Sequence, residues 1–407
     1  MNYVKEKQTG RGRRKAGRMI CCSVMVFSAV LMGICTTGCG IVERVKYEWS
    51  GSGVEGWENA ALEEGIVTNV EEYYYDHLSD ELREAYREIY VRVMRGEDTG
   101  DFMSSISVDD FWTAYYAMLA DHPEIFWLGS SAQVEESGLT GSVVSYNLEV
   151  AIPAEARDSM RQQLEAAADA CISQISPEAS DYEKIKYVYE YIINTTDYSA
   201  GSADSQNIQS VLLYHSSVCA GYSKTFQYIL NRMGLFCTYI TGKTTNGGEH
   251  GWNMVRIDGQ YYYVDVTWGD PVFANQMDAS GSNVTNYNYL CCTEYDLFKT
   301  HIPDDSIELP SCTSDAYNYY KLTGRYYENF DYNTIYNVLM ESVWAGETNI
   351  VMKFGSREAY ETAQYELFSN NMLKDPGEYL MEINGVNSWN YRYNTDDNFY
   401  LITLYWY

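Results

Sequence analysis

Three side chains that could support nucleophilic catalysis follow one another in the middle of the chain: Cys219, His250 and Asp265. A thiol is a strong nucleophile as its thiolate, an imidazole can take the thiol proton, and a carboxylate can orient that imidazole. If the fold brings these groups together, their types predict nucleophilic catalysis by a thiol.

Cys219 stands where a loop meets the start of a predicted amphipathic helix. The unpaired N–H groups and the dipole at a helix start favour an anion, and a thiolate is such an anion. Gly221, two residues later, allows other atoms to approach closely. The alternative for a single cysteine is a buried and inert apolar side chain.

His250 and Asp265 are placed together by a predicted hairpin. Asp258 and Gly259 form a two-residue turn signal between two apolar stretches. In the resulting register His250 faces Thr267 and lies diagonal to Asp265 on one face of the sheet, because side chains alternate along a strand. A slip of one residue would separate the two, so this prediction depends on the turn.

The motifs around these residues resemble those of the transglutaminase-like superfamily, over about residues 181 to 301. The resemblance is carried by Val218-Cys219-Ala220-Gly221-Tyr222, Gly234, His250-Gly251-Trp252-Asn253 and Asp265-Val266-Thr267-Trp268. It implies an α+β fold, with a cysteine-proteinase-like core of helices packed on an antiparallel sheet.

The resemblance also implies roles. Cys219 would attack an amide or ester carbonyl, His250 would take and return the proton, and Asp265 would fix the imidazole. The oxyanion would be met by the backbone N–H of Cys219 and a second donor, for which Tyr198 is the candidate. A packed loop tyrosine is the alternative for Tyr198. No cofactor and no metal are implied.

The acceptor of the acyl group stays open at this point. Water as acceptor gives a protease or amidase acting on proteins or peptides of the cell envelope, which we favour, and an amine gives a cross-linking transamidase. A third alternative is a surface-binding protein with a relic triad, because 40 tyrosines and 9 tryptophans could form aromatic platforms.

The charge of the chain excludes one class of partner. Its formal net charge is −29, and seven of its 28 basic residues lie within the first eighteen positions. The remainder is therefore more acidic still, and it repels nucleic acid. Beyond the first forty residues six cysteines remain, without a Cys-x-x-Cys pair, so neither a zinc cluster nor a disulfide scaffold is predicted.

The first 38 residues are predicted to be an export signal. A basic start precedes the apolar run Met19–Ile34, and Gly38 precedes Cys39. This ending resembles a bacterial lipobox, although Thr36 stands where leucine is usual. Cys39 is then the lipidation site, and the protein is extracytoplasmic and anchored to the membrane. The alternatives are cleavage elsewhere or an uncleaved membrane helix.

The rest of the chain is predicted to form a tether and three modules. These are the tether at 39–70, an N-terminal α+β module at 71–153, a transglutaminase-like domain at 154–305 and a C-terminal α+β module at 316–407. Predicted helices cover Leu78–Tyr90, Val108–Asp121, Ala154–Cys171, Asp181–Asn194, Cys219–Met233, Tyr332–Ala345 and Arg357–Asn370. Predicted strands cover Val143–Ile152, Leu235–Thr241, Gly251–Ile257, Tyr261–Trp268, Asn349–Phe354, Trp389–Tyr393 and Asn398–Tyr407.

Overall fold

The computed structural model describes residues 53–66, 70–270, 285–305, 307–385 and 387–406. The expected signal peptide at 1–38, the lipidation site Cys39 and the start of the tether lie outside these residues. Among the helices that are described, none combines the length and the apolar character needed to span a bilayer.

The described chain alternates helices with short strands. Its helices are Gly53–Glu63, Tyr73–His77, Asp80–Met94, Val108–Asp121, Ala154–Ile172, Asp181–Thr195, Gln209–Leu212, Cys219–Arg232, Val266–Gly269, Glu294–Leu297, Tyr319–Leu322, Tyr332–Trp344, Arg357–Phe368 and Lys374–Asn384. Its strands are Thr99–Asp101, Leu128–Glu136, Val143–Val150, Asp197–Tyr198, Ser216–Ser217, Cys237–Thr244, Glu249–Ile257, Gln260–Val264, His301–Pro303, Tyr326–Tyr327, Asn349–Phe354, Tyr391–Asp396 and Leu401–Trp406. The mixture of helices and antiparallel sheets confirms the α+β prediction.

Several helices begin where the sequence predicts. Ser180 and Glu183 form a capping box at the start of Asp181–Thr195, and Ser79 and Ser356 cap their helices through the side-chain hydroxyl. Such caps satisfy backbone N–H groups that have no partner within the helix. Local sequence therefore determines these boundaries.

Two segments differ from the prediction. Helix Gly53–Glu63 lies inside the expected tether, and its Trp57 is buried, with the guanidinium of Arg92 over its ring. Burial of one large aromatic side chain holds a segment whose weak periodicity had indicated an extended linker. Helix Lys374–Asn384 is not among the predicted helices; its Pro376 lies in the first turn, where a proline has no intrahelical N–H to lose.

A four-stranded antiparallel sheet, which we call the site sheet, lies at the centre of the middle segment. Its strand order is Gln260–Val264, Glu249–Ile257, Cys237–Thr244 and His301–Pro303. Helix Cys219–Arg232 packs on it, where the hydroxyl of Ser223 donates to the carbonyl of Gly251 at 2.9 Å. Helix and sheet together position the candidate site.

Two hydrophobic cores fill the described chain. The first is continuous from Tyr73 to Tyr320 and also contains Phe399 and Leu401. The second lies between Tyr327 and Trp406, around the sheet that contains strand Asn349–Phe354. The segments predicted as the N-terminal module and the transglutaminase-like domain thus share one core, whereas most of the C-terminal segment has its own. The predicted module boundaries themselves stay predictions.

Candidate active site

Cys219 is the first residue of its helix. Val218 before it is extended, and the helix begins with the hydrogen bond from the backbone N–H of Tyr222 to the carbonyl of Val218. The Cys219 thiol is half-buried, whereas the other cysteines in the described part of the chain are buried. Cys219 is therefore the described cysteine that a substrate can reach.

Gly221 provides the close approach that the sequence predicts. A Cβ at this position would lie 2.0 Å from Oγ of Ser217 and 2.6 Å from Oγ of Ser210. These two hydroxyls are themselves hydrogen-bonded at 2.6 Å. The loop before Cys219 is thus held against the first turn of the helix, in space that only glycine leaves free.

The predicted hairpin turn and its register are confirmed. Asp258 and Gly259 both have a positive φ, as a two-residue hairpin turn requires, and Asn253 pairs with Val264. The pairing of His250 with Thr267, however, is wrong, because the second strand ends at Val264 and the chain turns into helix Val266–Gly269.

The carboxylate of Asp265 causes this turn. Its Oδ1 accepts the backbone N–H groups of Thr267 at 2.9 Å and Trp268 at 3.1 Å, as a helix N-cap does. A side chain that offers acceptors to the backbone competes with continuation of the strand. Asp265 therefore reaches His250 from a helix start and not from a strand.

His250 and Asp265 form a short, buried hydrogen bond. Nε2 of His250 lies 2.7 Å from Oδ2 of Asp265, and the aspartate is fully buried. Burial alone would lower the pKa of His250, but the charge and hydrogen bond of Asp265 outweigh it and raise that pKa to about 10. Burial would likewise raise the pKa of Asp265, yet His250 and its other partners hold that pKa well below its usual range.

The Cys219 thiol lies next to the same imidazole and helps to raise the pKa of His250. Since Nε2 of His250 is used by Asp265, Nδ1 is the ring nitrogen left for the thiol. The structure thus brings together the three residues that the sequence singles out, in the order thiol, imidazole, carboxylate.

Tyr198 lies beside this array. Strand Asp197–Tyr198 runs parallel to Ser216–Ser217, which places Tyr198 opposite Ser217, two residues before Cys219. Burial, followed by the nearby Cys219 and Asp265, raises the pKa of Tyr198 to about 12. Its role as the second oxyanion donor stays a prediction.

His301 belongs to the site, and sequence reasoning did not find it. Its Nε2 lies 2.9 Å from Oδ2 of Asp265, the oxygen that also receives His250. The rings of Trp252 and Trp268 enclose it, with centroids at 5.0 and 4.9 Å. His301 lies on a three-residue edge strand 36 positions after Asp265, so no local pattern indicates it.

His250, Asp265 and His301 also form the group of described residues whose potential metal-ligand atoms lie within 4.8 Å of one another. The two N–O distances of 2.7 and 2.9 Å are those of hydrogen bonds, which require a proton on each Nε2. A metal ion would have to displace both protons, so the arrangement fits a hydrogen-bonded array better than a metal centre.

Comparison with known proteins points to the same residues. A family model described as the transglutaminase-like superfamily matches residues 169–266, which include Cys219, His250 and Asp265. Kyphoscoliosis peptidase of Mus musculus is 27% identical over 154 residues, covering 33% of this chain and 23% of that protein. The Homo sapiens protein of the same name is 26% identical over 118 residues, covering 25% of this chain and 18% of its own length.

The chain thus spans less than a quarter of the length of these relatives. A solved structure described as that of a TGase is 17% identical, and the match covers 42% of this chain and 50% of that chain with a TM-score of 0.25, which is too low to carry weight. The family model and the residues it spans carry the assignment. Over residues 169–266, which hold Cys219, His250 and Asp265, this chain is similar to the transglutaminase-like superfamily.

Proposed function

We propose that this protein is an exported, lipid-anchored thiol enzyme that cleaves peptide or amide bonds of cell-envelope proteins through a thioester on Cys219. The observation that carries the proposal is the hydrogen-bonded pair of His250 and Asp265 beside Cys219, whose half-exposed thiol lies at a helix start. A surface-binding protein has no need of a buried imidazole–carboxylate pair beside an accessible thiol.

The chemistry follows from the positions of these atoms. The Cys219 sulfur attacks the carbonyl carbon, a C–S bond forms, and the carbonyl oxygen becomes an oxyanion near the free N–H groups of the helix start. Protonated His250 then gives its Nδ1 proton to the leaving amine as the C–N bond breaks. Asp265 keeps the proton on Nε2 and stabilises the imidazolium.

The second half of the reaction regenerates the thiol. Neutral His250 takes a proton from water, the resulting hydroxide attacks the thioester, and the C–S bond breaks to release the acid. A primary amine in place of water would give a transamidase by the same steps. Hydrolysis is the simpler outcome, because the array supplies every group that it needs.

Selective alkylation tests the proposed nucleophile. An imidazolium beside a thiol stabilises the thiolate, which is the form that iodoacetamide alkylates. We expect iodoacetamide to alkylate Cys219 rapidly at pH 6 and His250→Ala to abolish that advantage. Buried thiols are internal controls, since burial raises the pKa of Cys171 to about 12 and that of Cys237 well above its usual value. Equal rates of alkylation at Cys219 and Cys171 in the folded protein would contradict the proposal.

Isotope incorporation tests the acceptor. Incubation of envelope proteins with the enzyme in ¹⁸O-labelled water should place ¹⁸O in new carboxyl termini, and Cys219→Ala should prevent this. Incorporation of a labelled primary amine in place of ¹⁸O would instead identify a transamidase.

The location rests on the sequence of the first 39 residues. We expect Cys39→Ala to release the protein from the membrane fraction or to leave its signal uncleaved. Unchanged membrane association with an intact N-terminus would show an uncleaved anchor and contradict lipidation.

A further inference from the structure

Asp265 receives two imidazoles on one oxygen. Nε2 of His250 and Nε2 of His301 lie 2.7 and 2.9 Å from Oδ2. An ionised carboxylate only accepts hydrogen bonds, so each Nε2 must carry a proton. His301 therefore donates to the same lone-pair region on which His250 depends.

His301 is held in place for this bond. Its Nδ1 lies 2.8 Å from Oγ1 of Thr300, and the residue is 1% exposed. Both ring nitrogens have partners in a site that excludes water, and a packing role alone would be met by an apolar ring without the cost of burying polar nitrogens. The hydrogen bond to Asp265 is what distinguishes histidine from such a ring.

The second donor changes what Asp265 does to His250. A carboxylate whose charge is shared among more donors is a weaker acceptor for each of them. With His250 as its only imidazole partner, Oδ2 would stabilise the positive charge of the His250 imidazolium more strongly. His250 must give up that positive charge in every turnover, because only the neutral imidazole can take a proton from water during thioester hydrolysis.

We propose that His301 is a positioning residue that shares the charge of Asp265 and so weakens the stabilisation of the His250 imidazolium by this carboxylate. The inference rests on the proposed function, since it concerns the base of that reaction. The titratable groups facing His301 are Asp265, His250 and the phenol of Tyr289, whose ring centroid lies 5.9 Å from the imidazole.

His301→Phe, His301→Gln and Ile302→Ala in the full chain test the proposal. Phenylalanine keeps a ring and removes the donor, whereas glutamine keeps an N–H donor. Ile302 is the exposed neighbour on the same strand and serves as the matched control. Circular dichroism shows whether each variant is folded.

The first measurement is the titration of His250 by ¹⁵N NMR in histidine-labelled protein. We expect its midpoint to rise in His301→Phe and to stay near the wild-type value in His301→Gln and Ile302→Ala. A midpoint that is unchanged or lower in a folded His301→Phe overturns the inference. If that variant does not fold, the wild-type spectrum decides, because an unprotonated Nε2 on His301 between pH 6 and 8 is incompatible with donation to Asp265.

The second measurement separates the two halves of the reaction with p-nitrophenyl acetate as acyl donor. We expect His301→Phe to keep the burst of p-nitrophenol from acylation and to slow deacylation at neutral pH, by about tenfold for each unit by which the His250 midpoint rises. A merely structural role would lower burst and steady rate together. A wild-type protein that releases p-nitrophenol no faster than Cys219→Ala would refute the proposed function, while the His250 titration would still test the charge sharing.

Discussion

The side-chain ammonium of Lys353 lies 2.8 Å from Oδ1 of Asn288, and both residues are buried. Asn288 belongs to the 3₁₀ turn Tyr287–Tyr289, and the carbonyl of Tyr289 accepts the backbone N–H of Asp265 at 2.9 Å. Lys353, in the C-terminal segment, thus supports the turn whose Tyr289 carbonyl holds the backbone of Asp265.

This contact changes what truncation should do. A separate module at 316–407 implies that a chain ending at Asp315 keeps its reactivity. Such a chain would lose Lys353 and also Tyr319, whose ring stacks on Tyr287 with centroids 3.6 Å apart. We expect the truncation to slow alkylation of Cys219 at pH 6 to the rate of a buried thiol.

The matched control for this truncation is a chain that begins at Gly53 and keeps residue 407. It should alkylate like the full protein, because it retains Cys219, His250, Asp265 and their described partners. A folded chain ending at Asp315 with wild-type reactivity would show that the C-terminal segment is dispensable.

Asp265→Asn should lower turnover by as much as ~10⁴-fold, as for the orienting acid of a serine triad. The asparagine oxygen can still accept from Thr267 and Trp268, so the helix start is retained. Its amide NH₂ would then face two imidazole N–H groups, and His250 would have to adopt the wrong tautomer. Steady-state kinetics beside a melting curve separates the two effects.

The control for Asp265→Asn is Asp270→Asn, at a buried aspartate that accepts from the hydroxyl of Tyr222 at 2.9 Å. An amide oxygen can keep that bond, so turnover should change far less. An equal loss of turnover in the two variants would mean that Asp265 supports folding, as Asp270 does, and has no separate role in catalysis.

Tyr198→Phe should lower kcat by about 10²–10³-fold with little change in KM, which is the effect of removing one oxyanion donor. The reason is that the oxyanion forms only after attack, so ground-state binding does not use this donor. Tyr187→Phe, at a half-buried tyrosine on helix Asp181–Thr195, is the control. Wild-type kcat in Tyr198→Phe would support the packing alternative.

Gly221→Ala should destabilise the protein by about 1–3 kcal/mol, the usual cost of overpacking. The added methyl would push Ser217 and Ser210 away from the helix that begins at Cys219. Reactivity of Cys219 should fall as well. Gly138→Ala, where an added Cβ meets open space, should change neither quantity in urea unfolding and alkylation assays.

Stability should depend on pH through His250. Its pKa is raised to about 10 in the folded protein, above the ordinary value of about 6.5. The stabilisation is therefore complete below about pH 6.5 and is lost as the pH rises through 10. The difference in unfolding free energy between wild type and His250→Gln, measured by urea denaturation, should be constant below pH 6 and shrink from pH 7 to 10.

The control for the pH dependence is His77→Gln, at a histidine of another helix that packs on Tyr73. The difference between wild type and this variant should not show the same decrease. A His250→Gln difference that stayed constant up to pH 10 would contradict the raised pKa.

Sequence predicts the parts of this site that local chemistry determines. The turn at Asp258 and Gly259 follows from residues that tolerate positive φ, and helix Cys219–Arg232 follows from its apolar spacing. Both are short-range effects, which is why the proximity of His250 and Asp265 was predicted correctly. The predicted strand Tyr261–Trp268 extends beyond the observed end at Val264, because the sequence does not distinguish a helix-capping aspartate from one at the end of a strand.

The features of the site that the sequence does not predict depend on contacts between distant segments of the chain. His301 reaches Asp265 through pairing of its short strand with Thr244, and Lys353 reaches Asn288 from 65 positions away. Neither contact leaves a periodicity or a motif. Both contacts depend on tertiary packing, and a single sequence does not indicate them.

Asp265 divides its two oxygens between different tasks: Oδ1 holds the start of helix Val266–Gly269, and Oδ2 receives the imidazoles. The position is therefore under two selective pressures, and an exchange to glutamate would displace both oxygens by a methylene. A homologous protein without the activity would still need a hydrogen-bond acceptor at this position to start helix Val266–Gly269. An aspartate or asparagine at this position in a distant relative is thus weak evidence of activity, and the imidazole at the position of His250 is the better mark of a working enzyme.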